Sequence, residues 1–164
     1  SAAKMCKILS TNKESSYIRL DKSQQKIIYK KDEKFDSNFK LIGKNKNICF
    51  ISTGIMVHKC IKLSKMLKRK NIYSSVLDLY KLKPINEKKI LNTLKNFKKI
   101  IIIDENTFSG GISSIISEIF TKNNFKKSTQ FFCLKNEQNL KYGTRDWLQK
   151  EHCVDLNYIY KKIK

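Results

Sequence analysis

Arginine is nearly absent from this chain of 164 residues: Arg19, Arg69 and Arg145 stand alone among 35 basic side chains, which with 14 acidic ones leave a formal charge of +21. Readers of base sequence rely on the two-pronged guanidinium, and single-strand binders interleave exposed aromatics with a basic groove. Neither arrangement is present. The lysines fall on every predicted element, so the charge predicts a solvated cationic surface with weak, salt-sensitive adhesion to polyanions. Long apolar runs are missing as well. The longest aliphatic stretch, Ile100-Ile101-Ile102-Ile103, has four residues, against the roughly 20 that span a bilayer, and no continuous apolar secretion signal opens the chain. A cytoplasmic chain without membrane contact is expected. The five cysteines, Cys6, Cys49, Cys60, Cys133 and Cys153, lack metal-ligand spacing, and neither His58 nor His152 has a nucleophile or carboxylate partner close in sequence. No metal site and no catalytic residue is readable; Cys49 and Cys60 read as buried thiols of a reducing compartment.

What is present is an alternation of short apolar runs and helical stripes. Ile48-Cys49-Phe50-Ile51 reads as a strand, followed by Ser52-Thr53-Gly54 and a helix whose Met56, Cys60, Leu63 and Leu67 recur at three and four residues. Residues 75–79 form the next strand, stopped by Lys83-Pro84. Asn86 caps a further helix, with Ile85 and Ile90 placed as a hydrophobic staple. Residues 100–103 are a strand covered on both faces. A turn through Asp104, Glu105, Asn106 and Gly110-Gly111 leads into a helix carrying Ile112, Ile115, Ile116, Ile119 and Phe120. Strands alternating with helices predict an α/β domain with a parallel sheet and right-handed crossovers.

The flanks are less regular. Residues 4–9 read as a short helix, Tyr17-Ile18-Arg19-Leu20 as a strand, Ile27-Ile28-Tyr29 as a brief strand and residues 35–42 as a short edge strand. Since an isolated helix and strand cannot bury themselves, residues 1–24 are expected to be the tail of a preceding domain with its linker, and residues 25–164 the domain proper. Residues 129–134 are the last strand. Residues 145–150 and 155–163 are two closing helices, with Trp147, Leu148, Leu156, Ile159 and Ile163 turned inward.

Taken in order, Tyr17-Ile18-Arg19-Leu20, Ile51-Ser52-Thr53-Gly54-Ile55-Met56-Val57, Leu77-Asp78-Leu79 with Lys83-Pro84-Ile85, Ile103-Asp104-Glu105-Asn106, Ser109-Gly110-Gly111-Ile112-Ser113-Ser114 and Tyr142-Gly143-Thr144-Arg145-Asp146-Trp147-Leu148 resemble the C-terminal domain of transketolase and its relatives. The resemblance covers nearly the whole chain and is carried by the ordered set, not by a single motif. Two departures stand out. Asp104-Glu105-Asn106 replaces an acidic pair followed by histidine, and residues 136–141 replace an acidic, arginine-rich segment.

The resemblance implies a three-layer α/β/α sandwich with a mostly parallel five-stranded sheet, one edge strand antiparallel. It also implies a parent enzyme that moves two-carbon ketol units between sugar phosphates. Thiamine diphosphate and Mg2+ would be bound by partner pyrophosphate- and pyrimidine-binding domains or a partner subunit, commonly in a homodimer, with no cofactor held by this chain, which alone is expected to be inactive. Deoxyxylulose-phosphate synthase and the beta subunit of 2-oxo acid dehydrogenases share the domain and remain alternatives, as does, from another class, a small basic nucleic-acid-binding module. Lys22 falls where sugar-phosphate-using members place a phosphate-holding arginine, and as a point charge it lacks the fork of a guanidinium. Gly54, Gly110 and Gly111 stand at strand-to-helix turns where backbone N–H groups can receive an anion. Asp104 and Glu105, being adjacent, send their side chains apart and read poorly as an acid–base pair.

Overall fold

Strands that are apolar on both faces need a helix layer on each side, and the chain supplies two. The structure, a computed structural model, describes residues 2–35 and 37–163. Its five-stranded sheet contains β1 (Lys40–Ile42), β2 (Ile48–Ser52), β3 (Ser74–Asp78), β4 (Lys99–Thr107) and β5 (Ser128–Leu134) in the order β1-β3-β2-β4-β5. β1 runs antiparallel to β3, and the remaining pairs are parallel. Between and beyond them lie α1 (Ala2–Ser10), α2 (Ile55–Lys68), α3 (Glu87–Leu94), α4 (Ile112–Lys122), α5 (Arg145–Glu151) and α6 (Leu156–Ile163).

The order of strands explains the two layers. From β2 the chain steps outward to β3 through α2, then returns across β2 to β4 through α3 and continues to β5 through α4. Right-handed crossovers running in opposite directions put their helices on opposite faces. Accordingly Cys49, Ile51, Ile100 and Ile102 pack with Ile90, Leu94, Ile112 and Ile116 of α3 and α4. Phe50, Val76, Ile101 and Ile103 pack with Met56, Leu63 and Leu67 of α2 and Ile159 of α6. Every residue of β2 and β3 is buried. Asn86 caps α3, its side chain accepting from Lys89 N–H, and Ile85 and Ile90 share one apolar cluster, as the staple requires. No helix among the described residues is long and apolar enough to cross a membrane.

Four expectations are corrected. Residues 17–20 form no strand: Tyr17 and Leu20 are exposed, and no neighbouring strand among the described residues offers them hydrogen bonds. Residues 27–29 are likewise irregular. There Ile28 packs against the α2 side of the sheet, and the Tyr29 hydroxyl donates to Asp78 Oδ2 at 2.5 Å. The edge strand contracts to β1, and Phe35 and Phe39 lie outside it with their rings buried. Finally, the buried residue of α5 is Gln149, whereas Trp147 is exposed.

Helices α2, α4 and α5 end alike. Ile72 N–H reaches Leu67 O at 3.1 Å, Phe125 N–H reaches Phe120 O at 2.8 Å and Val154 N–H reaches Gln149 O at 2.9 Å. The residue before each donor, Asn71, Asn124 or Cys153, is left-handed, as this closure demands. Asparagine tolerates that conformation, but cysteine does so poorly. Cys153→Gly is expected to raise stability by about 0.5–1 kcal/mol in urea denaturation; a loss would show that the thiol contributes packing that outweighs its backbone strain.

Burial raises the Asp78 carboxyl from the ordinary 3.8 to about 6, against the lowering effect of the Tyr29 hydrogen bond. A raised folded pKa means that this group's contribution is fully present below the unfolded value and is lost as pH rises through about 6, a swing of about 3 kcal/mol. Asp78→Asn should therefore gain on the wild type between pH 4 and pH 7.5 by up to about 3 kcal/mol, read from urea denaturation at each pH. A constant difference would place the carboxylate in a wetter setting.

Candidate functional site

In open α/β sheets the crevice beyond the strand C-termini, where the strand order reverses, is the usual ligand position. Here that point lies between β2 and β4. Ser52 at the end of β2 donates from Oγ to Ile103 O at 2.8 Å, tying the two strand ends together. Asp104 follows, buried, with Oδ2 accepting Ile112 N–H at 2.8 Å at the start of α4. Its Oδ1 accepts from Asn106 N at 3.2 Å and Nδ2 at 2.9 Å. The α4 N-terminus thus carries a carboxylate from its own chain, the charge that the partial positive end of a helix favours.

The glycines serve this arrangement differently. Gly111 has φ −85°, open to any residue, but an added Cβ would lie 2.4 Å from Asp104 Oδ2 and 2.6 Å from Thr107 O. Its requirement is steric. Gly110 is left-handed, and its N–H donates to Ser114 Oγ at 3.1 Å. Gly54 is also left-handed, has open space where a side chain would stand, and begins α2 without a side-chain cap.

Glu105 turns away from Asp104, into a polar network with Gln149 and Arg145. Gln149, buried on α5, donates from Nε2 to Glu105 Oε1 at 2.6 Å and touches Met56 Sδ at 3.5 Å. Lys59 of α2 donates to Gln149 Oε1 and to Asp146 Oδ1, the latter at 2.6 Å. Arg145 places Nε 3.0 Å from Glu105 Oε1, and its two terminal nitrogens grip Asp21 at 3.2 and 2.6 Å and Ser23 Oγ at 2.9 Å. The Arg145 guanidinium, helped by hydrogen bonds from Ser23, holds the Asp21 carboxyl well below the usual carboxylate range. This clamp fastens the incoming arm to the end of β4 and the start of α5. Lys22 sits within the clamped segment and is exposed. Gln149 and Arg145 had no counterpart among the sequence candidates. The hints were that Arg145 is one of three arginines and stands in the Tyr142-Gly143-Thr144-Arg145 stretch that carries the resemblance; in the structure Thr144 caps α5 through Trp147 N–H.

Exposed apolar side chains flank the clamp in sequence. Tyr17 and Leu20 on the arm, and Leu140, Tyr142 and Trp147 around the start of α5, are exposed. The Trp147 ring lies against Gly143, where a Cβ would stand 2.4 Å from Cε3, and Lys141 Nζ sits 5.9 Å from its centroid. The two stretches are held together by the Arg145–Asp21 ion pair. No group of three or more His, Cys, Asp or Glu able to hold a metal ion occurs among the described residues. The described residues thus offer no ligand set for the metal of a diphosphate–metal group.

Residues 38–158 match the family described as transketolase, C-terminal domain. The chain belongs to that family. Its relatives include 1-deoxy-D-xylulose-5-phosphate synthase of Fusobacterium nucleatum, 28% identical over 126 residues, covering 77% of this chain and 21% of that protein. Transketolase of Rattus norvegicus is 28% identical over 120 residues, covering 71% of this chain and 19% of the relative. A solved structure described as a split gene transketolase, inactive beta4 tetramer, superimposes with a TM-score of 0.73 at 17% identity, covering 84% of this chain and 45% of that one, and shares the fold. The transketolase C-terminal-like chain thus spans between about a fifth and just under a half of these proteins.

Because the demand at Gly111 is for space, Gly111→Ala should cost about 2–3 kcal/mol and lower the thermal midpoint by several degrees. An unchanged midpoint would show that Asp104 is not seated against the α4 N-terminus.

Proposed function

We propose that this chain is the C-terminal lobe of a transketolase-like enzyme and works by docking onto catalytic domains, not by catalysis of its own. The observation that carries the reading is the set of exposed apolar side chains, Tyr17, Leu20, Leu140, Tyr142 and Trp147, on the two stretches that the Arg145–Asp21 ion pair joins. Aromatic groups left in water beside a rigid ion pair are what a protein interface uses as anchors. Residues 1–24 are then the tail and linker of a preceding pyrimidine-binding domain, and residues 25–164 the lobe. The partner domains or subunit hold thiamine diphosphate and Mg2+, which supply the carbanion-stabilising chemistry of two-carbon ketol transfer between sugar phosphates. The complete enzyme is a cytoplasmic homodimer.

Within it, Lys22 is the substrate-phosphate ligand. The clamp fixes its backbone, and the lysine side chain contributes a point charge where a guanidinium would give two hydrogen bonds. Gly54, with open space before an uncapped helix, is the second candidate anion contact; Gly110 and Gly111 rank below it, since Asp104 already meets the helix they introduce.

The test pairs this chain with the thiamine-diphosphate-binding domains encoded beside it. Tyr142→Glu with Trp147→Glu is expected to weaken assembly at least tenfold at an unchanged melting temperature, measured by light scattering and calorimetry. In the assembled enzyme Lys22→Ala is expected to raise KM for phosphorylated substrate about tenfold with kcat retained. Sugar-phosphate turnover by this chain alone, or assembly indifferent to the double substitution, would overturn the reading.

A further inference from the structure

Strand β5 is the last of the sheet, and its only strand partner among the described residues is β4. Among those residues no backbone hydrogen bond other than those to β4 reaches Ser128–Leu134. In an extended strand the N–H and C=O of alternate residues face alternate neighbours, so every second residue of β5 directs an unmatched donor and acceptor outward. An edge of seven residues in this condition is a template for another strand.

Both faces beside that edge are shaped. On the α4 side Phe131 meets Phe108 edge-on, with centroids 5.1 Å apart, and Phe108 is exposed. On the α6 side a cleft of about 340 Å³ opens between β5 and Tyr158, Lys162, His152 and Cys153. Its walls are anchored. The Phe132 and Tyr158 rings pack at 6.4 Å, Lys162 Nζ lies 5.6 Å from the centre of the Tyr158 ring, and buried His152 accepts Lys135 N–H on Nδ1 at 3.2 Å. An added strand sends successive side chains to opposite faces, one row beside Phe108 and the other into the cleft.

Charge selects the occupant. Lys126 and Lys127 precede β5, Lys135 follows it, Lys162 lines the cleft, and no carboxylate among the described residues does. The nearest acids in sequence are engaged: Glu137 with Lys135, Glu151 with Lys141, and Asp155 with the N–H groups opening α6. A second copy pairing antiparallel through the same strand would set Lys126 and Lys127 against Lys135, and like charges across a strand pair destabilise it. We propose that the outer edge of β5 is a strand-addition site for an acidic extended segment of a partner protein, whose alternate side chains enter the cleft between β5 and α6. The main-chain ladder supplies affinity, and the cleft and lysines supply selection. None of the exposed apolar residues described above lines this cleft, so failure of either proposal leaves the other standing.

The experiment titrates the 15N-labelled chain with the synthetic peptide Asp-Glu-Val-Thr-Val-Thr-Val-Glu-Asp. Three controls accompany it: the same peptide N-methylated at alternate amides, its lysine-substituted analogue, and single-stranded oligothymidine. Amide shifts and slowed hydrogen exchange confined to residues 128–134 and the cleft wall are expected, with affinity reduced at least tenfold by N-methylation and by Lys135→Glu with Lys162→Glu. Equal binding of the N-methylated peptide would reduce the effect to charge adhesion and overturn the proposal. So would shifts scattered over the lysines, or tighter binding of the oligonucleotide at the same edge.

Discussion

Burial of both faces of β2, β3 and residues 100–104 of β4 is the constraint from which the rest of the molecule follows. A sheet whose central strands carry isoleucine, phenylalanine and leucine on each side has no wet face, so helices must cover both. With right-handed crossovers the chain accomplishes this only by reversing its direction across the sheet. The reversal at β2 and β4 then creates a crevice at their C-terminal ends. The groups that bear on function lie around that crevice or along the outer edge of β5.

In this chain polar side chains are linked to one another beyond these strand ends. Gln149 links Glu105, Met56 and Lys59, while Arg145 joins Glu105 to Asp21 and Ser23. The dipole of α4 is met by Asp104 from the neighbouring strand. A position that hosts ligands in many α/β proteins has become a fastening, and what it fastens is the arm that enters the domain. The chain belongs to the transketolase C-terminal domain family, and the role proposed for it, a lobe that presents a surface and holds a linker, rests on that fastening.

The two proposed interaction surfaces differ in physical character. Tyr142 and Trp147 stand beside an ion pair and suit an anchored, shape-matched contact, in which aromatic rings are transferred out of water. The edge of β5 offers hydrogen bonds in a row and a ring of lysines, which suits an extended acidic segment. A net charge of +21 on each copy opposes self-association and makes acidic chains the complementary partner.

Much of this was legible in the residues alone. The three- and four-residue recurrence of Met56, Cys60, Leu63 and Leu67, the unbroken Ile100 to Ile103, and Asn86 with its staple each specify a local structure through neighbours close in sequence. Their order was enough to imply a parallel sheet with helix layers, while the family was implied by a resemblance in the ordered motifs. What sequence could not decide were contacts between distant segments. Tyr17-Ile18-Arg19-Leu20 has the composition of a strand, yet a strand exists only when another edge supplies its hydrogen bonds, and none among the described residues does. Trp147 has the hydrophobicity of a core residue, but α5 turns Gln149 inward, because Glu105, Met56 and Lys59 converge there from β4 and α2. The sequence by itself determined the elements, since periodicity is local. Only the tertiary structure decided that Arg145 reaches Asp21, that Asp104 caps α4 and that β5 is left with an open edge, since each depends on which strands end side by side.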